Sequence, residues 1–228
     1  MHLLYILFDV LSEFSIYADI IGLTIVFICL SMRYKKITSP FKNSIFVFYG
    51  IFFCLTALTT AFNIAGLKNN WIYNALPVLL MLPLYFFFQK LHETAFLKNF
   101  NKIYAAIYFL AAIFFWKNII QLYLNPFFYL LFSFYILINS VGYLNEEMTS
   151  MRSENVFTKI EFWFITCLFF YAIICVIVWS LFSYLENNVS AQRQLLNPYY
   201  LWTYCHNSVL FIQSFVFSIV LVKNFVRK

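Results

Sequence analysis

The chain has 228 residues, 64% of them hydrophobic and only 11% charged, with a formal net charge of +6. Water-soluble domains are about half apolar and a quarter charged, so this composition excludes them and points to an integral membrane protein. Four Gly and five Pro leave no linker or low-complexity tail, and residues 1–228 read as a single transmembrane domain.

A bilayer core of about 30 Å takes about 20 apolar residues per helix. Seven windows meet that need, at 14–32, 44–66, 71–89, 102–122, 126–144, 159–184 and 202–223. The expected fold is therefore all-α, a seven-transmembrane-helix bundle. The opening "MHLLYILFDVLSEF" has neither the basic stretch nor the small-residue cleavage site of a signal peptide and is expected to stay in the mature protein. On the first helix Ser12, Ser15, Asp19 and Gly22 recur at i, i+3, i+7 and i+10, a stripe that should face protein or water. "RYKKITSPFKN" closes this helix. The second carries Thr56, Thr60 and Asn63 at i, i+4 and i+7, with Thr59 beside them, and stops at "GLKNN".

The third helix places Asn74 near one end, and its Pro77 and Pro83 free backbone carbonyls and predict a kink. "QKLHETAFLKNFNK" separates it from the fourth, and "LNP" at 124–126 makes the tightest hairpin, into the fifth. The fifth helix holds Asn139 and Ser140, and the most charged loop, "NEEMTSMRSENVFTK", leads to Glu161 at the start of the sixth. In the seventh, His206 and Gln213 share one face, with Thr203, Asn207 and Ser214 on the adjoining stripe.

Cytoplasmic loops collect Lys and Arg. With the N-terminus outside, the inner side holds Arg33, Lys35, Lys36, Lys42, Lys90, Lys98, Lys102, Arg152, Lys159, Lys223, Arg227 and Lys228, twelve of the fifteen. Lys68, Lys117 and Arg193 remain outside. This bias predicts an outside N-terminus and a cytoplasmic C-terminus. It also accounts for the net charge without nucleic acid, with anionic lipid at the inner face as the natural counter-charge. Trp71, Trp116, Trp179 and Trp202 fall near predicted outer helix ends, as interfacial rings do, and Trp163 near an inner end. The 31 Phe read as lipid-facing bulk.

In this orientation Asp19, Asn63, Asn74, His206 and Asn207 map to the outer third of the membrane, with Gln213 deeper on the His206 face. Ionisable groups are costly there and mark sites, so these six are the candidate ligand-binding residues of an outward-facing polar pocket. In a closed ring the first and last helices are neighbours, which would bring Asp19 towards His206. The plainer reading of the Asn and Thr stripes is helix-to-helix fastening. Asp19 and His206 could equally neutralise each other as a structural pair, or His206 could snorkel to the interface.

The sequence has no H-E-x-x-H, G-x-S-x-G, phosphate loop or dinucleotide fingerprint, and no pair of carboxylates inside the membrane, since Asp9 and Glu13 fall in the outer interface. No enzymatic activity, cofactor or metal is expected. Lys223 lies at the inner end of the last helix, which disfavours a retinal Schiff base. Cys29, Cys54, Cys167, Cys175 and Cys205 lie in apolar segments without C-x-x-C spacing and read as small buried hydrophobes. "NVS" at Asn188 is a lone glycosylation sequon on the outer side.

"EFWFITCLFFYAIICVIVWSLFSYL" carries Phe162, Trp163 and, eight residues on, Tyr171; "LWTYCHNSVLFIQ" carries Trp202 and Asn207. In this last third the chain resembles small seven-helix membrane proteins of Bacteroidota-type bacteria. The resemblance implies a sensor-like module of the kind found in or beside histidine-kinase systems. With six residues after Val222 the signal would pass to a separate partner, and the loop 145–159 is the candidate docking surface, its alternative being a merely solvated loop. The expected function is thus a receptor-like or sensory module that binds a small molecule from outside. A small transporter or channel subunit and an accessory subunit of a larger complex are the alternatives.

Overall fold

A computed structural model describes residues 2–120, 125–149, 155–188 and 202–226. The predicted second helix is α2 (Lys42–Ile64), and it ends as its sequence says it should. Gly66 adopts φ +67°, a conformation open to Gly at no steric cost. Its N–H reaches Asn63 O at 3.0 Å and the Leu67 N–H reaches Phe62 O at 2.9 Å, the paired bonds of a Schellman cap. The "LNP" turn is equally legible: Asn125 Oδ1 accepts from Phe127 N at 3.0 Å and Pro126 occupies the first helical position of α6 (Pro126–Thr149).

The remaining elements are α1 (His2–Arg33), α3 (Asn70–Leu91), α4 (Ala95–Phe114), the short α5 (Trp116–Ile119), α7 (Ile160–Asn188) and α8 (Asn207–Val226), the last preceded by a wider π-type turn at Trp202–His206. Among the described residues there is no strand. α1 runs well beyond the predicted 14–32. At 1.5 Å per residue it is about 48 Å long and outreaches the hydrocarbon core. α6 likewise continues five residues past the predicted 144 and carries Glu146 and Glu147 within the helix.

Among the described residues six helices are long and apolar enough to cross a membrane, the build of a multi-pass membrane protein: the segments Tyr17–Lys36, Lys42–Ile64, Asn70–Leu91, Pro126–Thr149, Ile160–Phe182 and Tyr204–Lys223. The predicted span 102–122 is not among them. Its helix, α4, begins at Ala95, contains Lys98, Asn99, Asn101 and Lys102, and breaks at Phe115. α4 nevertheless runs the length of the bundle. Tyr135 Oη donates to Asn101 Oδ1, Tyr104 Oη to Leu131 O at 2.8 Å and Tyr108 Oη to Phe128 O at 3.3 Å. Rising numbers on α4 meet falling numbers on α6, so the two are antiparallel.

The helices α1, α2, α3, α6, α7 and α8 pack in a closed ring, with α4 against α3 and α6. The expectation that the first and last helices are neighbours is met: a Cβ on Gly22 of α1 would stand 2.8 Å from Phe211 Cα and 3.3 Å from Ser214 Cβ of α8. Small residues permit such approach between membrane helices, where packing must replace the hydrophobic effect. Gly22→Ala is therefore expected to cost about 1–3 kcal/mol by forcing two backbones apart. Gly50→Ala, whose Cβ would sit 3.5 Å from a Phe27 ring carbon, is expected to be nearly neutral. Thermal unfolding of the two purified variants side by side measures the difference.

Two aromatic expectations are corrected. Phe48, Phe52, Phe87, Phe88, Phe128 and Phe132 are among the largest fully buried side chains, so much of the Phe excess fills the interior. Phe86, Phe134, Phe170 and Phe215 do lie on the exposed, lipid-facing surface. Trp179 is not an interfacial ring: it is fully buried and stacks on Tyr129 of α6 with centroids 4.4 Å apart. Trp71 and Trp116 are exposed as expected, and the Trp202 side chain lies outside the described residues, as do Arg193 and the end of the sequon.

Candidate functional site

Pro77 sets up the centre of the polar cluster. Lacking an N–H, it leaves the carbonyl of Tyr73, four residues earlier, without its helical partner. Tyr129 Oη donates to that carbonyl at 3.0 Å. Tyr129 also meets His206 of the candidate cluster: the two rings lie edge-on with centroids 6.2 Å apart. Asp19 and His206 are 4% and 3% exposed, so neither faces lipid nor snorkels to the interface. They make no hydrogen bond or ion pair with each other among the described residues. Asp19 Oδ1 accepts from Ile20 N at 2.7 Å, and His206 Nε2 lies 2.9 Å from Tyr171 Oη. With Asn207 Oδ1 3.4 Å from Nδ1, the geometry suits a neutral ring that accepts the Tyr171 proton at Nε2.

The other candidates divide. Asn207 is buried beside His206 in the cluster. Gln213 is buried with neither side-chain atom hydrogen-bonded, and Ser214 Oγ is likewise unpartnered among the described residues. Asn63 is exposed and accepts from Asn69 Nδ2 at 2.7 Å, which closes the α2–α3 turn. Asn74 Oδ1 accepts from Asn125 N at 2.8 Å and so ties the start of α6 to α3. Both perform the fastening that was the plainer reading. Thr59 and Thr60 donate to Thr56 O of their own helix at 2.7 and 2.9 Å. The side chains of Ser12, Ser15 and Thr203 lie outside the described residues.

At the other end of the bundle is a site the sequence reading did not assemble. A cavity of about 370 Å³ opens where the α1–α2, α3–α4 and α6–α7 connections meet, with His92, Tyr143, Glu146, Lys159 and Glu161 in its lining. His92 is 1% exposed. Its Nδ1 lies 3.0 Å from Glu146 Oε2 and its Nε2 2.9 Å from Asn139 Oδ1. The Asn139 amide is oriented by its own Nδ2, which donates to Tyr135 O at 2.9 Å, so an oxygen faces the ring. Each ring nitrogen thus faces an oxygen, one from α6's carboxylate and one from its amide. Glu146 Oε1 meanwhile accepts from Glu93 N at 3.1 Å and Thr94 N at 2.8 Å. A carboxylate borrowed from α6 thus caps α4, whose own Thr94 makes no side-chain cap bond. Lys159 pairs with Glu147 at 3.2 Å and Ser39 Oγ donates to Glu161 at 3.1 Å.

These bonds alter the expectation for the loop 145–159. Glu146, Glu147 and Lys159 point into clasps between helices rather than to solvent, Asn155 caps the turn Val156–Thr158, and residues 150–154 lie outside the described residues. No protein-family model, curated protein or solved structure matches this chain.

Proposed function

We propose that the chain is a seven-crossing, receptor-like sensory module of the bacterial inner membrane, N-terminus outside and C-terminus in the cytoplasm. It reads a small molecule at the Asp19, His206, Asn207 and Gln213 cluster and signals through a separate partner. The seventh crossing is supported by connectivity. The ends of α3 and α6 meet at the His92–Glu146 pair, while the starts of these helices meet at Asn74 and Asn125, an arrangement that favours a return crossing through α4. The orientation is supported by the Lys and Arg bias.

The observation that carries the sensory reading is the aromatic layer between the two polar ends. Phe164 of α7 touches Phe48, Tyr49, Phe87 and Phe217 with centroids 5.0–5.9 Å apart, and Phe52 meets Tyr171 just above. A polar cluster sealed from the far side is the arrangement of a binding module. The π-type turn ending at His206 adds to it, because such widenings recur at functional sites. A transporter is the second reading, favoured by the cavity at one end, the sealed cluster at the other and the two prolines of α3.

Purified protein screened against amino acids, amines, carboxylates and sugars is expected to gain thermal stability with one class and to lose that gain in Asp19→Asn and His206→Gln. Proteoliposomes should accumulate none of the same compounds; accumulation would favour transport instead. A double-mutant cycle on Asp19 and His206 is expected to show coupling of about 0.5–1 kcal/mol. Strict additivity in both stability and ligand response would sink the shared site. Co-purification of a stoichiometric partner whose retention depends on residues 145–159 is the corresponding check on signalling.

A further inference from the structure

The inward face of α1 carries a carboxylate. Asp19, Leu23, Val26 and Leu30 recur at i, i+4, i+7 and i+11 and are all buried, so this stripe points into the bundle. The inward stripe of α8 and the turn before it is His206, Leu210, Gln213 and Phe217, likewise buried. The contacts place the two stripes in depth. Ser39 Oγ meets Glu161 at 3.1 Å, so α1 ends at the level where α7 begins. Cys167 Sγ lies 3.7 Å from Gln213 O and Tyr171 Oη 2.9 Å from His206 Nε2, so α7 and α8 are antiparallel. α8 therefore ends at the same level as α1, and the two run parallel. Gly22 lies against Leu210, Phe211 and Ser214, which puts Asp19, three residues earlier, deeper than His206 and shallower than Gln213.

The polar groups at these levels are unmatched. The Asp19 carboxylate accepts from Ile20 N at 2.7 Å and, among the described residues, pairs with no Lys, Arg or His. Gln213 is 5% exposed, and neither its side-chain oxygen nor its nitrogen has a hydrogen-bond partner among the described residues. Asn63 and Asn74 fasten turns and helix starts, whereas Asp19 and Gln213 fasten nothing. Burying such groups inside a membrane is costly, and a binding site is where a fold bears that cost.

Their chemistry selects the ligand's charge. A single carboxylate without a counter-charge suits a single positive charge and repels an anion. A Gln amide both donates and accepts, so it can hold a second polar group about one turn deeper. A divalent metal does not fit, because among the described residues no three His, Cys, Asp or Glu side chains converge. We infer that the ligand read at this cluster is a small primary amine, its ammonium held by Asp19 and its polar end by Gln213. The inference rests on the cluster being a ligand site and adds the charge of what it takes.

The full chain in a neutral detergent is titrated with methylammonium and ethanolamine, and with ethylene glycol and glycolate as neutral and anionic counterparts, at constant ionic strength. Both amines are expected to raise the unfolding midpoint saturably, and the counterparts to leave it unchanged. Asp19→Asn should weaken apparent affinity for both amines about ten-fold, the loss of a hydrogen bond to a charged group. Gln213→Leu should weaken ethanolamine about five-fold and leave methylammonium unchanged. Without ligand, both variants should unfold at the wild-type midpoint or about 2–4 °C above it, since each removes an unpaired buried group; a structural role would lower both midpoints. No stabilisation by either amine, stabilisation that survives Asp19→Asn, or ligand-free variants that both lose stability or fail to fold would overturn the inference. Stabilisation by glycolate or ethylene glycol instead, abolished in His206→Gln, would overturn the amine and keep the sensory reading. Amine binding with accumulation in proteoliposomes would keep the amine and overturn the sensory reading.

Discussion

Phe164→Ala is expected to be among the most damaging single substitutions in the interior, at about 3 kcal/mol. The ring is fully buried, and four aromatic side chains from α2, α3 and α8 converge on it. Truncating a buried Phe costs about 3–5 kcal/mol in soluble cores, part of which is transfer from water. In a bilayer the unfolded reference is itself apolar, so that part shrinks. What remains is lost dispersion and the void left when rigid neighbours cannot collapse. The lower end of the range is therefore the appropriate figure. Phe164→Leu keeps most of the volume and should cost about half as much.

The same substitution tests whether the aromatic layer is a seal. If Phe164 closes the path between the Asp19 and His206 cluster and the cavity beside His92, Phe164→Ala in proteoliposomes should raise proton or small-ion leak over wild type, with Phe164→Leu in between. A destabilised variant with unchanged leak would show that the layer is packing alone, and would remove the main support for a sealed binding module. Unfolding in detergent and leak in liposomes report these two effects separately.

The apolar windows located the long helices because membrane-crossing length is a coarse, additive property of composition. Local stop signals such as Gly66 and Asn125–Pro126 were equally readable, since each acts within a few residues. Polar contacts made across long separations were hidden. His92 falls in the break "QKLHETAFLKNFNK" and the fifth window ends at residue 144, so Glu146, 54 positions away and on a further turn of α6, does not suggest itself as a partner. Asn139 was noticed but had nothing to pair with on paper. Asn101 shows the converse. It lies just before the predicted window 102–122, yet it is fully buried, donating to Tyr85 O and Gln89 Oε1 and accepting from Tyr135. Its polarity is cancelled by neighbours that no window can see. Trp179 was misassigned for a related reason, because position along a helix gives depth but not rotation, and only the stacked Tyr129 reveals that it faces inward.

The pair of His92 and Glu146 offers the second large effect. Three segments are joined through it: the end of α3, the capped start of α4 and the end of α6. Removing one member of a buried pair leaves the other charge uncompensated, typically at 3–5 kcal/mol. The Glu146 side chain keeps a wet edge at 12% exposure, so about 3 kcal/mol is expected for Glu146→Ala. That variant loses the ion pair and also strands the Glu93 and Thr94 amides. Glu146→Gln retains an acceptor for the amides and should recover part of the loss. His92→Ala leaves Glu146 to cap α4 but loses the pair, the bond to Asn139 and the stacking on Phe88, and should cost about as much as Glu146→Ala. The double variant should be less destabilised than the sum of its parts, with a coupling of at least 1 kcal/mol, because once one charge is gone the other is a liability. Chemical or thermal unfolding of the four proteins measures that coupling. Additive losses would mean that His92 and Glu146 act through separate contacts, with Asn139 and the α4 cap respectively, rather than as one clasp.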